Sequence, residues 1–419
     1  MVLQNCSQTT VQATAVMEIV DTHETLMEDI VYCPTRTIDW RHLLQDVFRG
    51  PDLPDWPQLS GACIIPFYQG RVALWFLCQH WQIKPGDEVV MPAYNCGSEV
   101  DPFGAYGAKV ILYRVDENAQ MDYEDIKKQC THKTRIVYIT HYFGWPQQVS
   151  AIYQWCKERS INVVEDCALA LFSRGSEGYL GTLADASIFS FRKTLSVPDG
   201  AALVLKESID ADTLSLRPPS VRQTFRNLLP FAKSAALAML DASRLYRPLR
   251  RWKLKSFDFN KLADKSVDEV KPDMPTDYYF DRKLINQSIS NVSCGILKRE
   301  NPDIVIKRRR QNYLALYKEL KDLHGMKVLF NTLPEGVCPL GFVMKVSCRK
   351  KVTQALNAHG IAAFSWWEGY HQDFCWDDFP EARCLKNTVL FLPINQSLNQ
   401  VQLRYIGNVT RNCIVKLSI

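Results

Sequence analysis

Two residues at the ends of apolar runs carry the most chemistry in this sequence. Asp166 closes the run NVVED, and Lys193 follows ASIFSFR just ahead of the loop SVPDGA. Open α/β sheets hold ligands at the carboxyl ends of their strands, so both residues stand where a ligand would sit. A carboxylate and an amine at such places admit two readings. One is a structural ion pair. The other is pyridoxal phosphate (PLP) chemistry, in which a lysine bonds the cofactor aldehyde and an aspartate keeps the pyridine nitrogen protonated, so that the ring draws electrons. Spacing alone does not separate them. His141, at the end of VYIT, is a further candidate, either as a cofactor or substrate contact or as a satisfied core histidine.

The elements that must position these groups lie between about residues 62 and 205. Asp87–Tyr94, Ala108–Asp116, Thr134–Phe143, Ile161–Ala168 and Ala186–Lys193 are short, β-branched or aromatic runs bounded by Gly, Pro, Asp or Asn, and read as buried strands. GRVALWFLCQHWQI, EDIKKQCT and VSAIYQWCKERS have helical spacing between them. Alternation of this kind predicts βαβ units and a largely parallel sheet with helices on both faces. A long helical pattern is expected from about Gln287 through RRRQNYLALYKELKDL, followed by a smaller α+β part that contains GFVMKVSC and KKVTQALNAHG. The segment LLPFAKSAALAMLDASRLYRPLRRWKLK, residues 228–255, has an apolar stripe and a basic end. It reads as a core-packed helix with a solvated tail, or as a peripheral membrane contact.

Bulk properties narrow the class without naming a reaction. At 419 residues, 47% hydrophobic and 23% charged, the chain is too apolar for disorder and too long for a disulfide-stapled miniature. A net charge of +5, concentrated in Arg244–Lys255, argues against nucleic acid as a partner. The 14 cysteines show no CxxC pair, so no metal site is expected, and free thiols fit a reducing cytoplasmic setting. The first residues carry Glu and Asp where a secretory signal would be apolar.

The ordered series QGRVALWFLCQHWQIKPGDEVVMPAYNC, GAKVILYRVDENAQMDYEDI, ITHYFGWPQQVSAIYQWCKERSINVVEDCALA and ADASIFSFRKTLSVPDGAALVL resembles the DegT/StrS-type sugar aminotransferases. The likeness covers about Ile65–Leu205 and continues more weakly towards the C-terminus. It implies a three-layer αβα PLP-transferase of fold type I with a smaller α+β C-terminal domain. The expected division is a leader over 1–60, a PLP-binding domain over 61–285 with an atypical basic segment at 209–280, and a small domain over 286–419 that includes the connecting helix. Residue by residue, Lys193 matches the cofactor-bonded lysine, Asp166 the acidic partner of the ring nitrogen, and Ser190 a phosphate contact. Gly70, Arg71 and Val72 stand at the family's phosphate cradle, where helix N–H groups favour an anion. Asn286 matches a residue that reaches a neighbour's cofactor, which implies a homodimer with shared active sites.

The sequence also departs from the family pattern. Leu169 replaces a Gln or His, Cys96 replaces the ring-stacking aromatic, Ser288 replaces an arginine, and the segment between FSF and Lys193 is two residues short. Tyr94 lies nearby but would point to the other strand face. The implied activity is transfer of an amino group from glutamate or glutamine to a keto-sugar, nucleotide-linked, in amino-sugar or polysaccharide biosynthesis. The competing reading is an idle family member serving as a scaffold in a membrane-associated assembly. The ring-rich segment Trp366–Trp376 could stack on a base or sugar, or pack as an aromatic loop.

Overall fold

The computed structural model describes residues 45–46, 52–209, 214–242 and 280–417. The first layer of organisation is a seven-stranded sheet, built from β1 (Cys63–Phe67), β2 (Glu88–Pro92), β3 (Lys109–Tyr113), β4 (Thr134–Thr140), β5 (Asn162–Asp166), β8 (Ala186–Ser190) and β9 (Ala201–Leu205). A two-stranded ribbon, β6 (Arg174–Gly175) with β7 (Gly178–Tyr179), interrupts the series. The strand order is β1-β9-β8-β5-β4-β2-β3. β3, β2, β4, β5 and β8 run parallel, whereas β9 lies antiparallel to both its neighbours. The expected parallel sheet therefore carries one reversed strand, because β8 turns directly back into β9.

Alternation along the hairpin shows both faces to be covered. Ile188, Leu203 and Leu205 enter one apolar cluster, and Phe189, Ala202 and Val204 enter another. Successive strand side chains point to opposite faces, so a strand buried on both reads as a continuous apolar run. The helices of this region are α1 (Gly70–His80), α2 (Gly97–Tyr106), α3 (Tyr123–Gln129), α4 (Val149–Lys157), the single turn α5 (Phe191–Thr194) and α6 (Val221–Ala242). In α1 the buried set Val72, Ala73, Leu74, Leu77 and Cys78 forms one stripe, which holds the helix against β1, β8 and β9.

The long helix expected from Gln287 is two helices, α7 (Asn291–Arg299) and α8 (Pro302–Leu320). Glu300 ends the first and Asn301 caps the second, its side chain accepting from the N–H groups of Asp303 and Ile304. Pro302 then takes the first helical position, where its missing N–H costs nothing. The C-terminal part is a four-stranded sheet, β10 (Met326–Val328), β11 (Phe342–Val346), β13 (Val389–Leu392) and β12 (Phe364–Ser365) in that order. It is joined by α9 (Arg349–Ala358), α10 (Pro380–Thr388) and α11 (Gln400–Leu417), and both α8 and α9 pack on α11.

Most of the sequence expected to form a leader lies outside the described residues, but its end does not stand apart. The Trp56 ring meets Phe172 and Phe191 at 5.0 and 6.1 Å, and buried Asp46 pairs with both terminal nitrogens of Arg299 at 2.5 Å. Of the basic segment, residues 228–242 are helical, and Arg244–Lys255 lie outside the described residues. Among the described residues no helix is long and apolar enough to cross a membrane.

Candidate active site

Three neighbouring strands end at the site. Asp166 is the last residue of β5, level with Thr140 of β4 on one side and Ile188 of β8 on the other. Ser190 closes β8, and α5 carries Lys193 one turn later. The chain then loops back, with Phe191 N–H donating to Gly200 O and Gly200 N–H to Tyr68 O. Arg309 of α8, buried, donates to the carbonyl of Thr194 at 2.6 Å and so holds the end of α5. The loop is pinned a third time by Asp199, whose carboxylate accepts from Ser290 N–H and Ser293 Oγ at the start of α7.

Gly70, Arg71, Asp166, Ser190 and Lys193 line one cavity of about 260 Å³, together with Gln69, Ser98, Glu99, Tyr138 and Arg192. α1 begins there with no side-chain cap on its first N–H groups. Such a helix start favours an anion. A Cβ at position 70 would lie 3.3 Å from Ile188 Cγ2, so the glycine keeps this wall open. Asp166 Oδ1 accepts from Ala168 N–H at 2.8 Å, and Tyr138 lines the cavity beside the same carboxylate. Burial, with Asp166 adding to it, holds that phenol's pKa well above its ordinary value, so it keeps its proton. The set combines an amine, a carboxylate and an anion cradle on one surface.

Three expected contacts stand elsewhere. His141 is fully buried, with Nε2 2.9 Å from Glu165 Oε2 and Nδ1 accepting from Gln147 N–H. Both ring nitrogens are thus occupied behind the site, as in a satisfied core histidine. Glu165 also accepts from the N–H groups of Gly181, Leu183 and Ala184. Against the cost of burial, His141 and these donors hold its carboxyl below the usual range. Cys167 joins them within 4.8 Å, but the glutamate's acceptors are already committed to the protein. Val72 is 1% exposed and turned into the core, not towards the cavity. Asn286 is exposed, and its carbonyl accepts from Arg217 N–H.

Tyr94 is buried and packs on Tyr142 and Trp367, its hydroxyl bonded to the Trp366 carbonyl. It does not line the cavity, in keeping with the strand-face argument. Cys96 is the N-cap of α2, and burial, then Glu99, push its thiol up. Sequence reasoning passed over Glu99, Tyr138 and Arg309. The available signal for Glu99 was a helix start with an acid at its third position, a capping box in which Cys96 replaces the usual Ser or Thr.

Lys193, Arg192 and Gln69 also line a second cavity of about 720 Å³. One wall is α6, through Gln223, Arg226, Asn227 and Phe231, and another carries Phe364, Trp366 and Phe391. Of the ring-rich segment, Trp366 thus faces the cavity, whereas Tyr370 and Trp376 pack edge to face in the interior.

Residues 63–228 match the DegT/DnrJ/EryC1/StrS aminotransferase family. The GDP-perosamine synthase of Escherichia coli O157:H7 is 34% identical over 141 residues, 33% of this chain and 39% of that protein. The chain thus spans about two fifths of that relative's length in the matched region. A dTDP-4-dehydro-2,3,6-trideoxy-D-glucose 4-aminotransferase of Saccharopolyspora spinosa is 24% identical over 81% of both chains. Among solved structures, the aminotransferase TlmJ of Streptoalloteichus hindustanus is similar with a TM-score of 0.62 at 18% identity, over 92% of this chain and 100% of that one. A Streptococcus pneumoniae protein described as a sugar aminotransferase, in its PLP form, is similar at a TM-score of 0.64 and 16% identity, over 93% and 99%. These neighbours share the αβα fold. Over the residues matched, the chain is similar to the DegT/DnrJ/EryC1/StrS aminotransferase family.

Proposed function

We propose that the protein is a PLP-dependent aminotransferase that moves an amino group from glutamate or glutamine to a keto-sugar carried on a nucleotide. The observation that carries this reading is the gathering of Lys193, Asp166, Ser190, Gly70 and Arg71 around one cavity at the ends of β5 and β8. When bound, PLP supplies an electron-withdrawing ring that stabilises negative charge at the carbon being deprotonated. The residues present fit it: N–H groups at the start of α1, with Ser190 and Arg71, suit a phosphate, and the Asp166 carboxylate suits a protonated ring nitrogen. Lys193 Nζ is the amine that would hold the cofactor through its aldehyde. Displaced by the donor amine, Nζ would be placed to take the proton from the donor's α-carbon as a general base and, as a general acid, to hand it on to the carbon that had carried the aldehyde.

The larger cavity adjoins Lys193 and is the place for the sugar substrate, with Trp366 and the side chains of α6 as its walls. The protein works as a homodimer, in which exposed Asn286 is the residue that meets the second copy.

Mixing the purified protein with PLP should produce a visible absorbance band that glutamate or glutamine discharges. Lys193→Ala should remove the band and all turnover of keto-sugar nucleotides. A protein that stays colourless with PLP sinks the reading.

A further inference from the structure

α6 presents three different sides around its axis. Gln223, Asn227 and Ser234 line the larger cavity, and Thr224, Leu228 and Phe231 are buried. The third side faces outward. Val221, Phe225, Leu229 and Met239 are 60, 50, 65 and 74% exposed, and exposed Ala232 and Ala236 fall between the last two. The intervals of four, four, three, four and three residues place these six on one apolar stripe that runs almost the length of the helix, about 27 Å at the usual rise. Exposed Arg222, Arg226 and Lys233 each follow a stripe residue in sequence and so form a row of cations along one edge of it. The first acid on the helix is Asp241, in its last turn. Single exposed apolar residues are ordinary, whereas a continuous stripe on an otherwise polar surface marks a contact.

We propose that the outer face of α6 is an interfacial surface that lies on an anionic lipid bilayer. A helix in the plane of the headgroups sinks an apolar stripe into the acyl boundary and sets flanking cations against lipid phosphates, which is the arrangement of Phe225 and Leu229 beside Arg222, Arg226 and Lys233. Charge decides between a bilayer and a second copy of this chain. Two copies packed stripe to stripe would bring their cation rows together with no acid between Val221 and Leu240 to pair them, and like charges across an interface are unfavourable. The surrounding sequence has the same bias: Arg217–Lys255 holds ten Lys or Arg and one acid, against a net charge of +5 for the whole chain. An anionic surface attracts such a segment, and each cation near it adds to the attraction. The inference does not rest on the reaction proposed above. It adds that one helix would carry lipid on its outside and the cavity wall on its inside, which sets the larger cavity close to the membrane surface.

Sedimentation of the purified full chain with lipid vesicles tests this. The chain should pellet with vesicles of phosphatidylcholine mixed with phosphatidylglycerol, stay in solution with phosphatidylcholine alone, and be released by high salt. Phe225→Ser and Leu229→Ser should each lower the partition coefficient about tenfold or more, because each removes a side chain that would enter the acyl boundary. Arg222→Gln and Lys233→Gln should each lower it about fivefold. All four side chains are exposed, so the melting temperature should stay at that of the parent. Hydrogen exchange on the unmodified chain needs no variant: amides of residues 221–239 should exchange more slowly once anionic vesicles are added. A chain that stays in solution with the anionic vesicles overturns the proposal. Binding that Phe225→Ser and Leu229→Ser leave unchanged also overturns it, since the contact would then lie on other basic residues. A vesicle-free dimer that Leu229→Ser splits overturns it too, and assigns the stripe to a second copy. No arm reads the PLP band or turnover, so failure here leaves the aminotransferase reading standing, and failure of that reading leaves this one.

Discussion

Arg309 shows how one buried side chain can hold a distant group in place. It is 3% exposed and donates to the carbonyls of Thr194, Pro339 and Leu340 and to Gln396 Oε1. Burial lowers its pKa, but the four acceptors replace the water it has lost. Arg309→Met should leave these carbonyls without their donor, at about 1–3 kcal/mol for each one left dry. A loss of about 3 kcal/mol or more in urea unfolding, with weaker PLP binding because Thr194 adjoins Lys193, is the expected result. The sequence concealed this role inside RRR at 308–310, which has the look of a solvated charge run. Only the spacing of its buried neighbours Val305, Asn312, Tyr313 and Leu316 places Arg309 on the inward face. Lys193 and Asp166 were legible because they follow apolar runs directly. His141 follows one too, and its sequence position could not reveal that Glu165 had claimed it.

At the scale of elements, the loop after Lys193 depends on a backbone shape that few residues adopt. Gly200 has φ +118°, and a Cβ there would stand 2.5 Å from Ile289 Cδ1 and 3.3 Å from Phe191 Cδ2. Gly200→Ala should therefore cost about 2 kcal/mol or more, read as a lowered melting temperature, with reduced formation of the PLP band. The five strands read from sequence all formed, since buried parallel strands are continuous β-branched or aromatic runs. α2 was not singled out because Gly97, Pro102 and Gly104 dilute its pattern, although Glu99 and an αL Gly107 mark its two ends. The break between α7 and α8 was written in Asn301-Pro302, a stop and start signal that the apolar periodicity on either side outweighed.

Across the whole molecule, the two sheets are joined by polar contacts that leave no periodic trace. Lys386 of α10 is fully buried and donates to Asn95 O at 2.7 Å, ahead of α2, and to Gly369 O at 2.9 Å, with the Trp376 ring 4.7 Å away. Beside it, His371 Nε2 lies 3.0 Å from Asp101 Oδ1 of α2. Lys386→Met keeps the length and loses the donors, so about 2–4 kcal/mol of unfolding free energy should go with it. Tryptophan emission from Trp376 should shift in the folded state. Side chain to carbonyl contacts of this kind depend on where loops meet, and the sequence shows only the loops. The β8–β9 pairing has one more consequence, which concerns how the chain can change over generations. Ser190 faces Ala201 in register, so Lys193 rides on a loop of about ten residues whose two ends are tied to each other. Lengthening or shortening that loop shifts the amine relative to Asp166, whereas the turn between β6 and β7 carries no such residue. Sequence drift is thus free to vary one hairpin and is held to a fixed count in the other.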